Sequence, residues 1–191
     1  MLKLGFVTFS SFVLALLALS LGTSPAGATT SITCNGLTPT IYGSGIINGT
    51  SHDDVIVGSA GNDTINGGAG DDTICGEGGD DVIDGGSGND QMWGEAFRTD
   101  PLIGVAGNDQ IKGGSGGDLL VDPTGTGQTL DGGSGVDTIA GFGTLLGGSG
   151  ADSIRVLGQH AEPSTLNGES GHDTCTPGNA QDVLTSCEVV P

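Results

Sequence analysis

From Gly49 onward the chain holds one phase: an aspartate returns at every ninth residue, with an aliphatic residue two places after it. With the aspartate counted as sixth, units begin without a gap at Gly49, Gly58, Gly67, Gly76 and Gly85. They carry Asp54, Asp63, Asp72, Asp81 and Asp90, and at the eighth position Ile56, Ile65, Ile74, Ile83 and Met92. So short a fixed period admits few folds, because each unit can bury its apolar residue only against its neighbours, as one turn of a solenoid. The first six positions must turn the chain, and glycine supplies backbone conformations that other residues resist. The last three, such as Thr64-Ile65-Asn66, make one short strand with its middle side chain directed inward.

The phase slips at Gly94, which opens a ten-residue unit with Asp100 and Leu102, and resumes at Gly104 (Asp109, Ile111) and Gly113 (Asp118, Leu120). Later units start at Gly132 (Asp137, Ile139), Gly147 (Asp152, Ile154), Gly168 (Asp173, Cys175) and Pro177 (Asp182, Leu184). Segments from Asp122, Gly141 and Val156 lack the sixth aspartate but keep Leu130, Leu145 and Leu166 as apolar residues. The repeats therefore occupy 49–185, with an N-terminal cap over 29–48 and a C-terminal tail over 186–191.

This spacing resembles G-G-x-G-x-D-x-U-x, the calcium-binding nonapeptide of the RTX, or hemolysin-type, family. The resemblance implies an all-β fold, a parallel β-roll: a right-handed, two-sided solenoid in which each unit stacks on the second unit after it, about 4.8 Å away. Alternate units then form two files. One holds Asp54, Asp72, Asp90 and Asp109, then the three degraded units and Asp182; the other runs unbroken through Asp63, Asp81, Asp100, Asp118, Asp137, Asp152 and Asp173.

Carboxylates stacked about 5 Å apart repel by roughly 3 kcal/mol per pair at an effective dielectric of 20. A cation must lie between them, and calcium suits the place because it accepts many oxygens, carboxylate and carbonyl alike, in flexible geometry. The expected ligands for several calcium ions are Asp54, Asp63, Asp72, Asp81, Asp90, Asp100, Asp109, Asp118, Asp137, Asp152 and Asp173. Backbone carbonyls of turn residues such as Gly58, Gly61, Gly67, Gly70, Gly76 and Gly85 complete the set. Zinc would prefer thiolate and imidazole, and the histidines are scattered. Ordering nine backbones costs far more than burying one isoleucine returns, so folding is expected to be coupled to metal.

The N-terminus carries Lys3, an apolar stretch from Phe6 to Leu21 and small residues around Ala26-Gly27-Ala28, the layout of a secretory signal cleaved over 1–28. Serines interrupt that stretch, and its apolar core is too short for a transmembrane anchor. Loss of Lys3 leaves three cations against 23 acidic residues and moves the formal charge from -19 to -20. Such a polyanion is unsuited to nucleic acid, which is bound through cationic contacts.

In a secreted chain four cysteines imply two disulfides, and closing the two open ends of a solenoid favours Cys34–Cys75 and Cys175–Cys187. His52, His160 and His172 fall in turns or loops and read as solvated. Trp93 is outward by phase, packing on the inserted unit or offering a face to a sugar. Lys112 and Arg155 share its outward ninth position and moderate charge.

No set of nucleophile, base and oxyanion donors emerges, so the leading expectation is a secreted, non-catalytic, calcium-binding structural or cell-surface module. The alternatives are an enzyme acting on extracellular polysaccharide through Trp93 and the loops from Gly94 and Val156, or a carbohydrate-binding, adhesive or ice-binding solenoid. The partner classes left beside calcium are a cell surface or a polysaccharide.

Overall fold

The computed structural model describes residues 32–95, 107–125, 127–158 and 161–189, all within the unit Ser31–Pro191. The expected signal segment, Asp100 and His160 lie outside the described residues. The described residues form strands and turns without a helix. One sheet contains β1 (Ile41–Tyr42), β3 (Val55–Val57), β5 (Thr73–Glu77), β7 (Gln91–Glu95), β9 (Leu119–Val121), β11 (Thr138–Gly141), β13 (Ser153–Val156), β15 (Thr174–Thr176) and β17 (Glu188–Val189). The other contains β2 (Ile46–Asn48), β4 (Thr64–Ala69), β6 (Val82–Ser87), β8 (Gln110–Ser115), β10 (Thr129–Gly135), β12 (Thr144–Gly150), β14 (Thr165–Gly171) and β16 (Val183–Thr185).

Each strand pairs in parallel with the second strand before and after it, so the chain crosses from one sheet to the other at every turn. This is the two-sided β-roll, and its core is one aliphatic residue thick per strand. Ile56, Ile74, Met92, Leu120, Ile139, Ile154 and Cys175 stack in register along the first sheet. Ile47, Ile65, Ile83, Ile111, Leu130, Leu145 and Leu166 do so along the second. All are buried and form one continuous cluster. The degraded units keep their rung because Leu130, Leu145 and Leu166 keep their place in this stack.

Two boundaries shift. β1 and β2 belong to the segment expected as a cap, and β17 to the expected tail, so the stack extends beyond the repeats at both ends. Disulfides join Cys34 to Cys75 at one end and Cys175 to Cys187 at the other.

β6 pairs directly with β8 and β7 with β9, so the described strands from Gln110 onward are one unit out of step with the expected files. That step exchanges the two files for everything that follows.

Trp93 is also corrected. Its ninth position does face away from the main core, yet it is only 6% exposed and packs in a second cluster with Cys34, Val57 and Cys75 beside Val55, Leu119 and Val121. The N-terminal segment, tied down through Cys34, covers this part of the outer face, so Trp93 presents no platform to a sugar. Lys112 remains exposed and stands in register between Asp84 and Asp131.

Candidate metal ladder

The sixth-position aspartates sit where each turn enters its next strand, and the stacking of that strand sets one carboxylate over the next. Along one edge the amide of Asp54 donates to Asp72 Oδ1, Asp72 to Asp90, Asp90 to Asp118, Asp118 to Asp137, Asp137 to Asp152 and Asp152 to Asp173, at 2.8 to 3.0 Å. Along the other edge Asp63 donates to Asp81 and Asp81 to Asp109. The unbroken column is therefore Asp54, Asp72, Asp90, Asp118, Asp137, Asp152 and Asp173, not the file expected through Asp63, Asp81 and Asp100. Asp109 stacks on Asp81 rather than on Asp90, and after it Gln128 takes the sixth position.

One oxygen of each interior carboxylate is thus committed to the backbone. The other is not: Oδ2 of Asp72, Asp81, Asp90, Asp109, Asp118, Asp137, Asp152 and Asp173 is buried and receives no hydrogen bond. A buried acceptor without a donor costs roughly 1–3 kcal/mol, and more when charged. Next to these oxygens lie backbone carbonyls of the following layer. A Cβ added to Gly85 would come within 2.5 Å of Asp90 Oδ2 and 2.8 Å of Gly113 O; on Gly147 it would come within 2.6 Å of Asp152 Oδ2 and 2.8 Å of Gly168 O. The first glycine of the unit is therefore required by an oxygen-lined seat between layers. Carboxylate and carbonyl oxygens in that seat suit a hard cation such as calcium.

Of the expected carbonyl donors, those of Gly76 and Gly85 line such seats, adjoining Gly58 and Gly67 respectively, while that of Gly67 adjoins Gly49. Gly58 is itself the seat residue over Asp63, and the carbonyl of Gly70 adjoins Gly88 farther along the turn. Gly61 is apart, since a Cβ there would meet nothing nearer than Ser59 Oγ at 4.0 Å.

Asp54 and Asp63, at the start of the columns, differ from the interior members. Asp54 Oδ2 accepts from both the amide and the hydroxyl of Thr50, and Asp63 Oδ2 from the amide of Ser59. Burial would raise Asp54, but the bonds from Thr50 and Thr40 outweigh it and hold the carboxyl below its ordinary range. In the interior, burial dominates and neighbouring carboxylates add to it, pushing Asp72, Asp109 and Asp118 up to about 6 and Asp81 up to about 8. The interior aspartates therefore lack the compensating donors that the end members have.

A second ladder went unread in the sequence. Asp53, Asn62, Asp71, Asp80, Asn89 and Asn108, all at the fifth position, each accept through Oδ1 the fifth-position amide of the next layer, at 2.8 to 3.2 Å. The signal in the sequence is the recurring Asp-Asp and Asn-Asp pair, whose first member keeps a fixed place before the sixth-position aspartate. His52 is exposed, and His172 is exposed beside Glu188 at 3.4 Å.

A parallel two-sheet solenoid edged by buried carboxylates defines a class of repeat protein built to hold cations between layers. Comparison narrows the class: residues 48–83, 76–99 and 97–121 match the RTX calcium-binding nonapeptide repeat (4 copies), so this part of the chain is similar to that family. No curated protein matches the chain.

Proposed function

We propose that this protein is a secreted calcium-dependent structural module, without catalysis, whose repeats order when calcium enters the seats between layers. The observation that carries the reading is the two columns of buried Oδ2 atoms without donors, set beside backbone carbonyls at every seat except that of Asp109. The residues in the seats are Asp72, Asp81, Asp90, Asp109, Asp118, Asp137, Asp152 and Asp173. Asp54 and Asp63 serve chiefly to close the columns. Calcium supplies the positive charge that lets neighbouring carboxylates ionise together.

Secretion rests on the signal-like segment 1–28 and on two disulfides, which persist in oxidising compartments. A polysaccharide-acting enzyme loses its best support once Trp93 is buried. The test is direct: protein recovered from the culture medium should begin at Thr29, and its far-ultraviolet dichroism should change from disordered to β on adding calcium and revert with EGTA. Retention of residues 1–28, or a spectrum indifferent to EGTA, would contradict the proposal.

A further inference from the structure

The repeat seat takes one sixth-position carboxylate from each layer, yet at one place three carboxylates from different positions converge. Glu95, Asp109 and Asp122 are all buried, and one oxygen from each lies within 4.8 Å of the others. Asp109 is a sixth-position residue. Asp122 stands at a first position, because Val121 pairs with Trp93 and Asp122 follows it as Gly94 follows Trp93. Glu95 is the next residue after that glycine.

The substitution lies in the seat itself. A Cβ on Gly67, Gly76, Gly85 or Gly113 would meet its own unit's aspartate and the first-position carbonyl of the next layer. On Gly94 it would instead meet the carboxylates of Asp109 and Asp122. A charged oxygen pair thus stands where the repeat offers a carbonyl.

Each carboxylate has one oxygen committed and one left over. Glu95 Oε1 accepts the amide of Gly107 at 2.7 Å, Asp109 Oδ1 that of Asp81 at 2.9 Å, and Asp122 Oδ1 that of Thr124 at 3.2 Å. Glu95 Oε2, Asp109 Oδ2 and Asp122 Oδ2 are buried without a donor. Independently, Gln128 follows Asp109 in the same column, is 1% exposed, and has neither its amide oxygen nor its amide nitrogen bonded. Its carbonyl oxygen, buried one layer on from Asp109, is of the kind a hard cation accepts. Burial first, and the adjoining Glu95 carboxylate second, drive Asp122 up to about 9.

We propose that Glu95, Asp109 and Asp122, with the side-chain carbonyl of Gln128, form a calcium site of a different make from the repeat seats, richer in negative charge and filled first. The proposal rests on the calcium reading of the repeats. Its charge also suits a trivalent lanthanide, which supplies a probe. Trp93, the single tryptophan, precedes Glu95 by two residues, about 7 Å along the strand, close enough to sensitise terbium.

Terbium titration of the purified chain, exciting Trp93, should give emission that saturates at the first equivalent and that calcium displaces. Asp122→Asn and Glu95→Gln should each raise the midpoint on the order of tenfold, since affinity follows ligand charge, while Glu188→Gln, at an exposed position on β17, should leave it in place. The site is refuted by absent emission in the unaltered chain, by emission that calcium does not displace, or by midpoints within twofold of it in both variants. Dichroism on the same samples separates the two readings: an unaltered chain whose spectrum ignores calcium refutes the general one, whereas a normal calcium response with unmoved terbium midpoints refutes only this site. If Asp122→Asn does not reach the calcium-bound spectrum, Glu95→Gln decides, because it keeps the acceptor for Gly107.

Discussion

The backbone amide of Asp90 donates to Asp118 Oδ1 at 2.8 Å across 28 residues of chain, whereas Asp54 and Asp72 reach their partners over 18. The stack thus passes over the segment that follows Glu95 without losing its register. In every such bond the carboxylate does two things: Oδ1 ties two layers together and Oδ2 stays buried without a donor.

Those two roles separate by mutation. Asp118→Asn keeps an acceptor for Asp90 but removes the charge, so it should weaken calcium binding roughly tenfold with little effect on stability in saturating calcium. Asp118→Ala also strands the Asp90 amide and should cost about 1–3 kcal/mol more. Urea midpoints with excess calcium distinguish the two, and equal midpoints would deny Oδ1 its role.

Much of this was legible in the sequence, and the failures have physical causes. Period nine identified the inward residues from Ile56 to Cys175, and the rungs at Leu130, Leu145 and Leu166 survived loss of aspartate because burial, not metal, defines a rung. Spacing could not fix which file each later unit joins, since β6 pairs directly with β8 and β7 with β9 across the slip in phase after Gly94. Phase gave the face of Trp93 but not what covers it, because the covering residues near Cys34 lie outside the period.

The pH dependence has a definite sign. Burial raises Asp72, Asp109 and Asp118 to about 6 and Asp81 to about 8 from an ordinary 3.8. The metal-free fold therefore binds more protons than the unfolded chain, keeps its full stability below about pH 4, and loses stability as pH rises through 6 and 8. In EGTA, dichroism should report more β structure at pH 4.5 than at pH 8. Calcium, competing with those protons, should bind more tightly at pH 8.

Glycines differ sharply in what they permit. Gly150 has φ 154°, and a Cβ there would overlap the Gly135 carbonyl oxygen, which no rotamer can relieve. Gly150→Ala should cost about 3 kcal/mol or more. Gly36 has φ 81° with nothing within 4 Å, so Gly36→Ala should cost only about 1 kcal/mol, its backbone preference alone. Calcium-saturated melting temperatures rank the pair, and a reversed order would count against the close stacking of turns.

The disulfides should contribute unequally. Cys34–Cys75 spans 41 residues and Cys175–Cys187 spans 12. Loop-closure entropy gives about 4 kcal/mol for the first and about 3 for the second. Replacing the first pair by serine should also expose Trp93, seen as a red-shifted emission, while replacing the second should leave that emission alone.

Calorimetric titration of calcium into the purified chain, with dichroism followed in parallel, tests the central claim most directly. The account predicts that several ions bind per chain and that β structure appears over the same range of calcium that produces the heat. A chain already fully β in EGTA, or one that folds with no calcium heat, would contradict it.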